Sequence, residues 1–245
     1  MDKCSERSQE IAVVLAAGKG ERMYPLTLTK PKPLVPVLGR PMIETVLAGL
    51  QRRGVGQIYV VVGYLREQFA YLTEKYTNVS LIENPEYSFK NNISSIYAVR
   101  EIMGQANCFV CEADLYVSDT TIFEADLPNS CYFGKMVPGY SADWVLRTQG
   151  DFISSIGVGG DSLFNMAGIS YFQQEDAQKV AQAVAEAYQE AGHEQLYWDE
   201  VVDKLIGRAE LKLTVQAVPA SAIVEIDSAA ELQAVEADLR KRSAF

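Results

Sequence analysis

Hydrophobic and polar positions along this chain follow two rhythms in turn. IAVVLAA, starting at Ile11, is an unbroken apolar run, the pattern of a strand buried on both faces. PMIETVLAGLQRRG follows with apolar residues at helical intervals between Pro41 and Gly54, residue types that start and stop helices. IYVVVG reads as a second strand, LREQFAYLTEKY as a helix, VSLIEN as a short strand, and NNISSIYAVREIMG as a helix beginning near Asn92. CFVCEAD, ending at Asp114, is the next strand. The alternation predicts an α/β fold built on a mostly parallel mixed sheet flanked by helices. In such sheets ligands bind beyond the carboxyl ends of the strands, which is where Gly18, Gly63, Asn84 and Asp114 fall.

After Asp114 the rhythm changes. CYFGKMVP, DWVLRTQ, FISSIGVGG and FNMAGISYF are strand-like and separated by turn residues, as in a small β-rich flap. EDAQKVAQAVAEAYQEAG is an amphipathic helix whose Gln and Glu face is read as solvated surface. LKLTVQAV and AIVEI read as strands, and DSAAELQAVEADLRKR as a closing helix whose Ser228 and Glu231 form a capping box. No repeat or linker interrupts the chain. The organisation expected is a flexible extension over residues 1–10 and a single domain over 11–245.

Composition narrows the function. The chain has 245 residues, of which 48% are hydrophobic, enough to bury a sizeable core. Its formal net charge of -10 at pH 7 argues against a nucleic-acid surface, which rewards clustered Lys and Arg. A local cationic pocket for one small anion is still allowed. No apolar run approaches the ~20 residues that span a bilayer, and the polar opening MDKCSERSQE lacks a signal-peptide core. The expectation is a cytoplasmic protein with no membrane partner. Cys4, Cys108, Cys111 and Cys131 are scattered thiols rather than a disulfide framework. Cys108 and Cys111 sit at i and i+3 of a strand and so face opposite ways, and His193 is the only histidine, so a zinc site is not expected.

The richest chemistry lies in LAAGKGERMYPLTLTKPKPLVPVLGRPMIE. The chain leaves a buried strand at Leu15, turns through Ala16, Ala17, Gly18 and Gly20, then presents Arg22, Lys30 and Lys32. Small residues let backbone approach a ligand, and successive N–H groups can form a concave anion site. Arg22 offers a planar fork to phosphate oxygens and Lys32 a compact charge, held stiff between Pro31 and Pro33. The segment is neither a dinucleotide fingerprint nor a Walker loop. It resembles the signature of the nucleotidyltransferases that activate sugar phosphates and related phosphoesters: L-A-A-G-x-G-x-R, a Pro, then P-K-x-L. The resemblance implies a Rossmann-like nucleotidyltransferase fold in which Gly18 and Gly20 wrap a triphosphate while Arg22 and Lys32 neutralise it. It also implies that Asp114 and Asp227, each ending a strand, together hold Mg2+.

Both tryptophans lie beside carboxylates, in DWVL (Asp143, Trp144) and LYWDEVV (Tyr197, Trp198, Asp199, Glu200). Aromatic faces with a nearby acid suit a quaternary ammonium. Adjacent helical residues do not share a face, so one at most of Tyr197 and Trp198 can meet a ligand. Taken with GYLREQF, NNISSIY and VEIDS, these segments make the chain similar over nearly its whole length to bacterial phosphocholine cytidylyltransferases. That likeness implies CTP plus phosphocholine giving CDP-choline and pyrophosphate by direct in-line displacement at the α-phosphorus. Trp144, Tyr197 and an acid among Asp199 and Glu225 would then enclose the trimethylammonium in an acceptor-binding flap, with Tyr64, Asn92 and Ser95 near base and ribose. Alternatives are a 2-aminoethylphosphonate cytidylyltransferase, a sugar-phosphate nucleotidyltransferase using UTP or dTTP, a glycosyltransferase, which should not need the P-K-P lysine, and a non-catalytic nucleotide-sensing module.

Overall fold

A computed structural model describes residue 7 and residues 9–242 of the chain. The apolar run at its start becomes β1 (Ile11–Ala16), buried along its whole length and lying between two parallel partners. The loop after it carries short 3-10 turns and a small hairpin, β2 (Pro36–Val37) with β3 (Arg40–Pro41), and feeds α1 (Met42–Arg53). Gly54 caps α1 in the left-handed conformation at φ 85, where glycine carries no Cβ penalty. β4 (Gln57–Val62), β5 (Val79–Glu83) and β6 (Cys108–Glu112) complete a four-stranded parallel half in the order β5-β4-β1-β6. Two further helices belong to this half, α2 (Tyr71–Lys75) and α3 (Ile93–Met103). α2 is much shorter than the helix expected over LREQFAYLTEKY. Leu65 takes a left-handed turn at φ 47 and Arg66–Phe69 winds as a 3-10 turn, leaving only five α-helical residues.

Beyond β7 (Leu115–Val117) the sheet becomes largely antiparallel. β8 (Cys131–Met136), β9 (Tyr140–Gln149), β10 (Phe152–Asp161), β11 (Phe164–Phe172) and β12 (Thr214–Ala217) carry the order on as β6-β11-β8-β12-β10-β9. β9 also pairs back onto β11 through Phe164 with Leu146 and Asn165 with Val145. The flap is thus a closed ring of five strands rather than an open addition, and parallel pairing survives in it only between β8 and β12. α4 (Gln174–Ala187) and α5 (Trp198–Gly207) follow β11. β13 (Ile223–Glu225) pairs with β7, and α6 (Ala229–Arg242) closes the described chain. Its capping box is present: Glu231 N donates to Ser228 Oγ and Ser228 N to Glu231 Oε2.

The sheet separates two main cores. Cys111 and Phe109 pack on one side with α1, and Cys108 and Val110 on the other with α3, α4 and α5. Cys108 and Cys111 therefore do face apart. The extension expected over residues 1–10 falls largely outside the described residues, but its last residue does not behave as one. Glu10 is buried, paired with Arg53 at 2.5 and 2.8 Å, and accepts the Tyr171 hydroxyl at 3.0 Å. No helix among the described residues is long and apolar enough to cross a membrane.

Candidate active site

The carboxyl ends of β1, β5 and β6 open onto a cleft of about 560 Å³. The glycine-rich turn forms one wall. Leu15, Ala16 and Ala17 are buried and bring β1 to the cleft floor. A Cβ built on Gly18 would meet nothing within 4 Å, so its backbone is bare toward the cavity. Gly20 has a different reason to be glycine. It sits at φ 64, and a Cβ there would lie 2.6 Å from Cβ of Lys32. The two glycines read together from sequence thus divide the work: one leaves room for a ligand, the other lets Lys32 pass.

Lys32 lies in the turn Lys32–Leu34, whose Leu34 N–H donates to Pro31 O at 2.9 Å. Its ammonium reaches Asp114 Oδ2 at 2.6 Å and Asp227 Oδ1 at 2.5 Å, and Arg22 also reaches Asp227 Oδ1, at 2.7 Å. Burial by itself would depress the Lys32 ammonium. The charges and hydrogen bonds of Asp114 and Asp227 outweigh it, and the net displacement is upward. Asp114 follows β6 and Asp227 follows β13, and the pairing of β13 with β7 brings them together. Glu225 joins them: one carboxylate oxygen from each of Asp114, Glu225 and Asp227 lies within 4.8 Å of the others. Asp114 Oδ1 is buried without a hydrogen-bond partner. Three converging hard oxygen donors with one unfilled lone-pair site fit a divalent cation such as Mg2+.

Glu112, two residues before Asp114 on β6, also lines the cleft. Burial and the neighbouring carboxylates of Asp114, Asp199 and Glu225 hold its carboxyl well above the ordinary range. Glu225 is raised as well, by the low-dielectric wall it faces and by Asp114 and Asp227, even though much of its surface is exposed. Both shifts favour the neutral acid, so this cluster resists ionising fully until a cation joins it.

The opposite wall comes from the loop before α3. Buried Asn84 donates from Nδ2 to Ser94 Oγ at 2.9 Å and to Ser95 Oγ at 3.1 Å, aligning both hydroxyls at the cleft. Asn92 lines the cleft too, and its Oδ1 accepts the backbone N–H of Trp198 at 3.0 Å, fixing the start of α5. Tyr64 is not brought to the cleft wall. Its hydroxyl donates to Thr27 O and Leu28 O at 2.9 and 3.1 Å, and it braces the entry loop from behind. Lys90, which the sequence reading did not single out, lines this wall in a salt bridge to Glu86 at 2.6 Å.

On the flap side Tyr197, the extended N-cap of α5, reaches the cleft, while Trp198, the first helical residue, turns into the core against Tyr132 and Phe172. Trp144 packs on Tyr197 with ring centroids 5.4 Å apart and planes tilted by 60°. Asp199 is not placed beside these rings at the surface. It is buried, and its Oδ1 accepts the Tyr132 hydroxyl at 2.9 Å. Burial raises its carboxyl to about 7 despite that hydrogen bond.

A glycine turn, a lysine and an arginine converging on strand-end carboxylates, and a polar wall opposite define a nucleotidyltransferase site. Comparison with known proteins places it further. Residues 12–129 match the MobA-like NTP transferase domain. The chain is 50% identical to a 2-aminoethylphosphonate cytidylyltransferase of Lancefieldella rimae, over 96% of this chain and 95% of that protein. It is 35% identical to a choline-phosphate cytidylyltransferase of Streptococcus pneumoniae, over 95% and 99%. The solved CTP:phosphocholine cytidylyltransferase from Streptococcus pneumoniae superposes with a TM-score of 0.86 at 33% identity, covering 94% of this chain and 99% of that one. The chain belongs to the cytidylyltransferase branch of the nucleotidyltransferase family.

Proposed function

We propose that this enzyme transfers the cytidylyl group of CTP to 2-aminoethylphosphonate and releases pyrophosphate. The observation that carries the choice of acceptor is the balance of acid and ring on the flap side. A primary ammonium needs acceptors for its N–H bonds, whereas a quaternary one needs aromatic faces. Here Trp144 and Tyr197 spend part of their ring surface on each other, while carboxyl oxygens of Glu112 on the cleft wall and of Glu225 beside Asp114 are available to accept N–H bonds. The likeness to the Lancefieldella rimae protein supports the same acceptor. Phosphocholine, placed first on sequence, is the second reading, favoured by the Trp144–Tyr197 pair and the Streptococcus pneumoniae relative.

In this reading a phosphonate oxygen attacks the α-phosphorus in line and pyrophosphate leaves. The attacking group is already ionised, so no general base or covalent intermediate is needed. Gly18 gives the triphosphate access to backbone N–H groups, and Lys32 and Arg22 neutralise charge as it shifts toward the leaving pyrophosphate. Asn92 and the Ser94 and Ser95 hydroxyls set by Asn84 hold base and ribose. Asp114, Glu225 and Asp227 would hold Mg2+, which when bound supplies charge neutralisation to the phosphates. Tyr197 and Trp144 flank the ammonium, and buried Asp199 supports that wall from beneath. The reaction is set in the cytoplasm, where a nucleoside triphosphate donor is supplied.

Pyrophosphate release tests this, with each nucleotide against 2-aminoethylphosphonate, phosphocholine and sugar phosphates. The expected result is CTP with the aminophosphonate, at a kcat/KM at least about tenfold above phosphocholine, the ratio of ~1.4 kcal/mol of differential binding. Preference for phosphocholine would establish the second reading. Release with no pair would favour a nucleotide-sensing module.

A further inference from the structure

Lys135 stands on β8 with its Nζ 3.4 Å from the carbonyl oxygen of Ile223, two residues before Glu225 on β13. That is a long contact for an ammonium with three N–H donors, and Lys135 forms no ion pair among the described residues. Its side chain is half-buried. Burial pulls its ammonium below the ordinary value, and Glu225 and Asp143 only partly restore it. Directly across the ladder on β11 is Asn165, which donates from Nδ2 to Ser141 Oγ at 2.8 Å and Asp143 Oδ2 at 2.9 Å. Those two bonds fix the amide's orientation and leave its Oδ1 buried without a partner. Lys135 thus faces a polar pocket within the ring, formed with the buried Ser141 and Asn165, and keeps N–H donors to spare.

The chemistry of the acceptor gives that lysine a task. The attacking oxygen belongs to a phosphonate or phosphate carrying nearly two negative charges, and it must come to rest beside Asp114, Glu225 and Asp227. Lys32 and Arg22 are already engaged with two of those carboxylates and face the triphosphate side. The acceptor therefore needs a cation of its own on the flap side, and Lys135, whose Nζ approaches the Ile223 carbonyl on the strand that carries Glu225, is the candidate.

We propose that Lys135 is the anion anchor of the acceptor site: its ammonium binds the phosphonate or phosphate oxygens of the incoming acceptor and holds them against the repulsion of Glu225. The proposal rests on the reading that this enzyme activates a small phosphonate or phosphate. It is tested on the Mg2+-supplied enzyme by comparing wild type, Lys135→Met and Lys135→Arg. Charge-assisted hydrogen bonds of this kind predict an acceptor KM raised about tenfold or more in Lys135→Met, with the KM for CTP unchanged and substantial recovery in Lys135→Arg. Melting temperatures are measured alongside. An unchanged acceptor KM overturns the proposal, as does an equal rise in both KM values together with a lowered melting temperature, which marks a structural lysine. Titration of methylphosphonate into the enzyme loaded with a non-hydrolysable CTP analogue separates this from the choice of acceptor. Binding lost in Lys135→Met supports the anchor even where 2-aminoethylphosphonate proves not to be the substrate. Equal binding by both proteins, or none by wild type, refutes it.

Discussion

Lys32 makes opposing predictions for turnover and for metal affinity, and Lys32→Met, which keeps the length and removes the charge, tests both. Its side chain is 8% exposed and lies between Asp114 and Asp227, which are 21% and 23% exposed. Removing one partner of a fully buried ion pair costs about 3–5 kcal/mol. Here Asp227 keeps Arg22 at 2.7 Å and both acids keep contact with water, so the loss falls to about 1–2 kcal/mol, or roughly 2–8 °C in melting temperature for a chain this size. Loss of a preorganised charge at the reacting phosphate lowers turnover roughly 100- to 1000-fold. Metal binding moves the other way. In the structure the ammonium shares the carboxylates that would hold the ion, so its removal leaves them uncompensated and strengthens their hold on Mg2+ in the absence of nucleotide. Continuous pyrophosphate-release kinetics and thermal melts with and without Mg2+ read both effects. Turnover within tenfold of wild type would refute the assigned role. Equal Mg2+ stabilisation of the two proteins would refute the competition for shared carboxylates.

Other variants probe the remaining walls. Trp144→Ala should raise the acceptor KM roughly 2- to 30-fold through loss of a cation–π contact, leaving that for CTP unchanged, and steady-state kinetics against each substrate would show otherwise. Gly20→Ala places a Cβ 2.6 Å from Cβ of Lys32 at a φ that L-residues avoid. It should therefore cost about 1–2 kcal/mol of stability and lower kcat by displacing Lys32, whereas a loss of stability with normal kcat would separate the turn from the lysine. Asp199 has a folded-state carboxyl raised to about 7 by burial, against about 3.9 in the unfolded chain. The native state therefore keeps a proton that the unfolded state gives up, and stability contributed below about pH 4 is lost as pH rises through about 7. Asp199→Asn should flatten that part of the melting-temperature profile, and an unaltered slope would assign it to other groups.

The parallel half was legible because its signals are local. IAVVLA is apolar at every position and could only be a strand buried on both faces, and the small-residue turn and P-K-P that follow it are contiguous in the chain. The carboxylates were legible as strand ends, although they meet Lys32 across separations of 82 and 195 residues. Other features depended on tertiary pairing, which alternation does not encode. Closure of the ring rests on the pairing of Phe164 with Leu146 and Asn165 with Val145, which the pattern in DWVLRTQ does not specify. Tyr64 looks the same in sequence whether its hydroxyl meets a nucleotide or two loop carbonyls. Asp199 precedes an acid that does cap its helix, Glu200, and only the packing of Tyr132 above it turns it inward. A single lysine in CYFGKM reads as a solvated strand position until Ile223 and Asn165 are placed around it.

β11 belongs to both halves of the molecule at once, pairing with β6 through Ile169 and Cys111 and with the ring through Asn165. A strand held in ladders on both edges cannot slip by one residue without turning its side chains to the wrong face. The placement of the ring relative to the parallel half is then fixed along one strand, across the irregularity between Met166 and Ser170. Any movement of the ring against the parallel half must therefore carry β11 with it or break one of its two ladders.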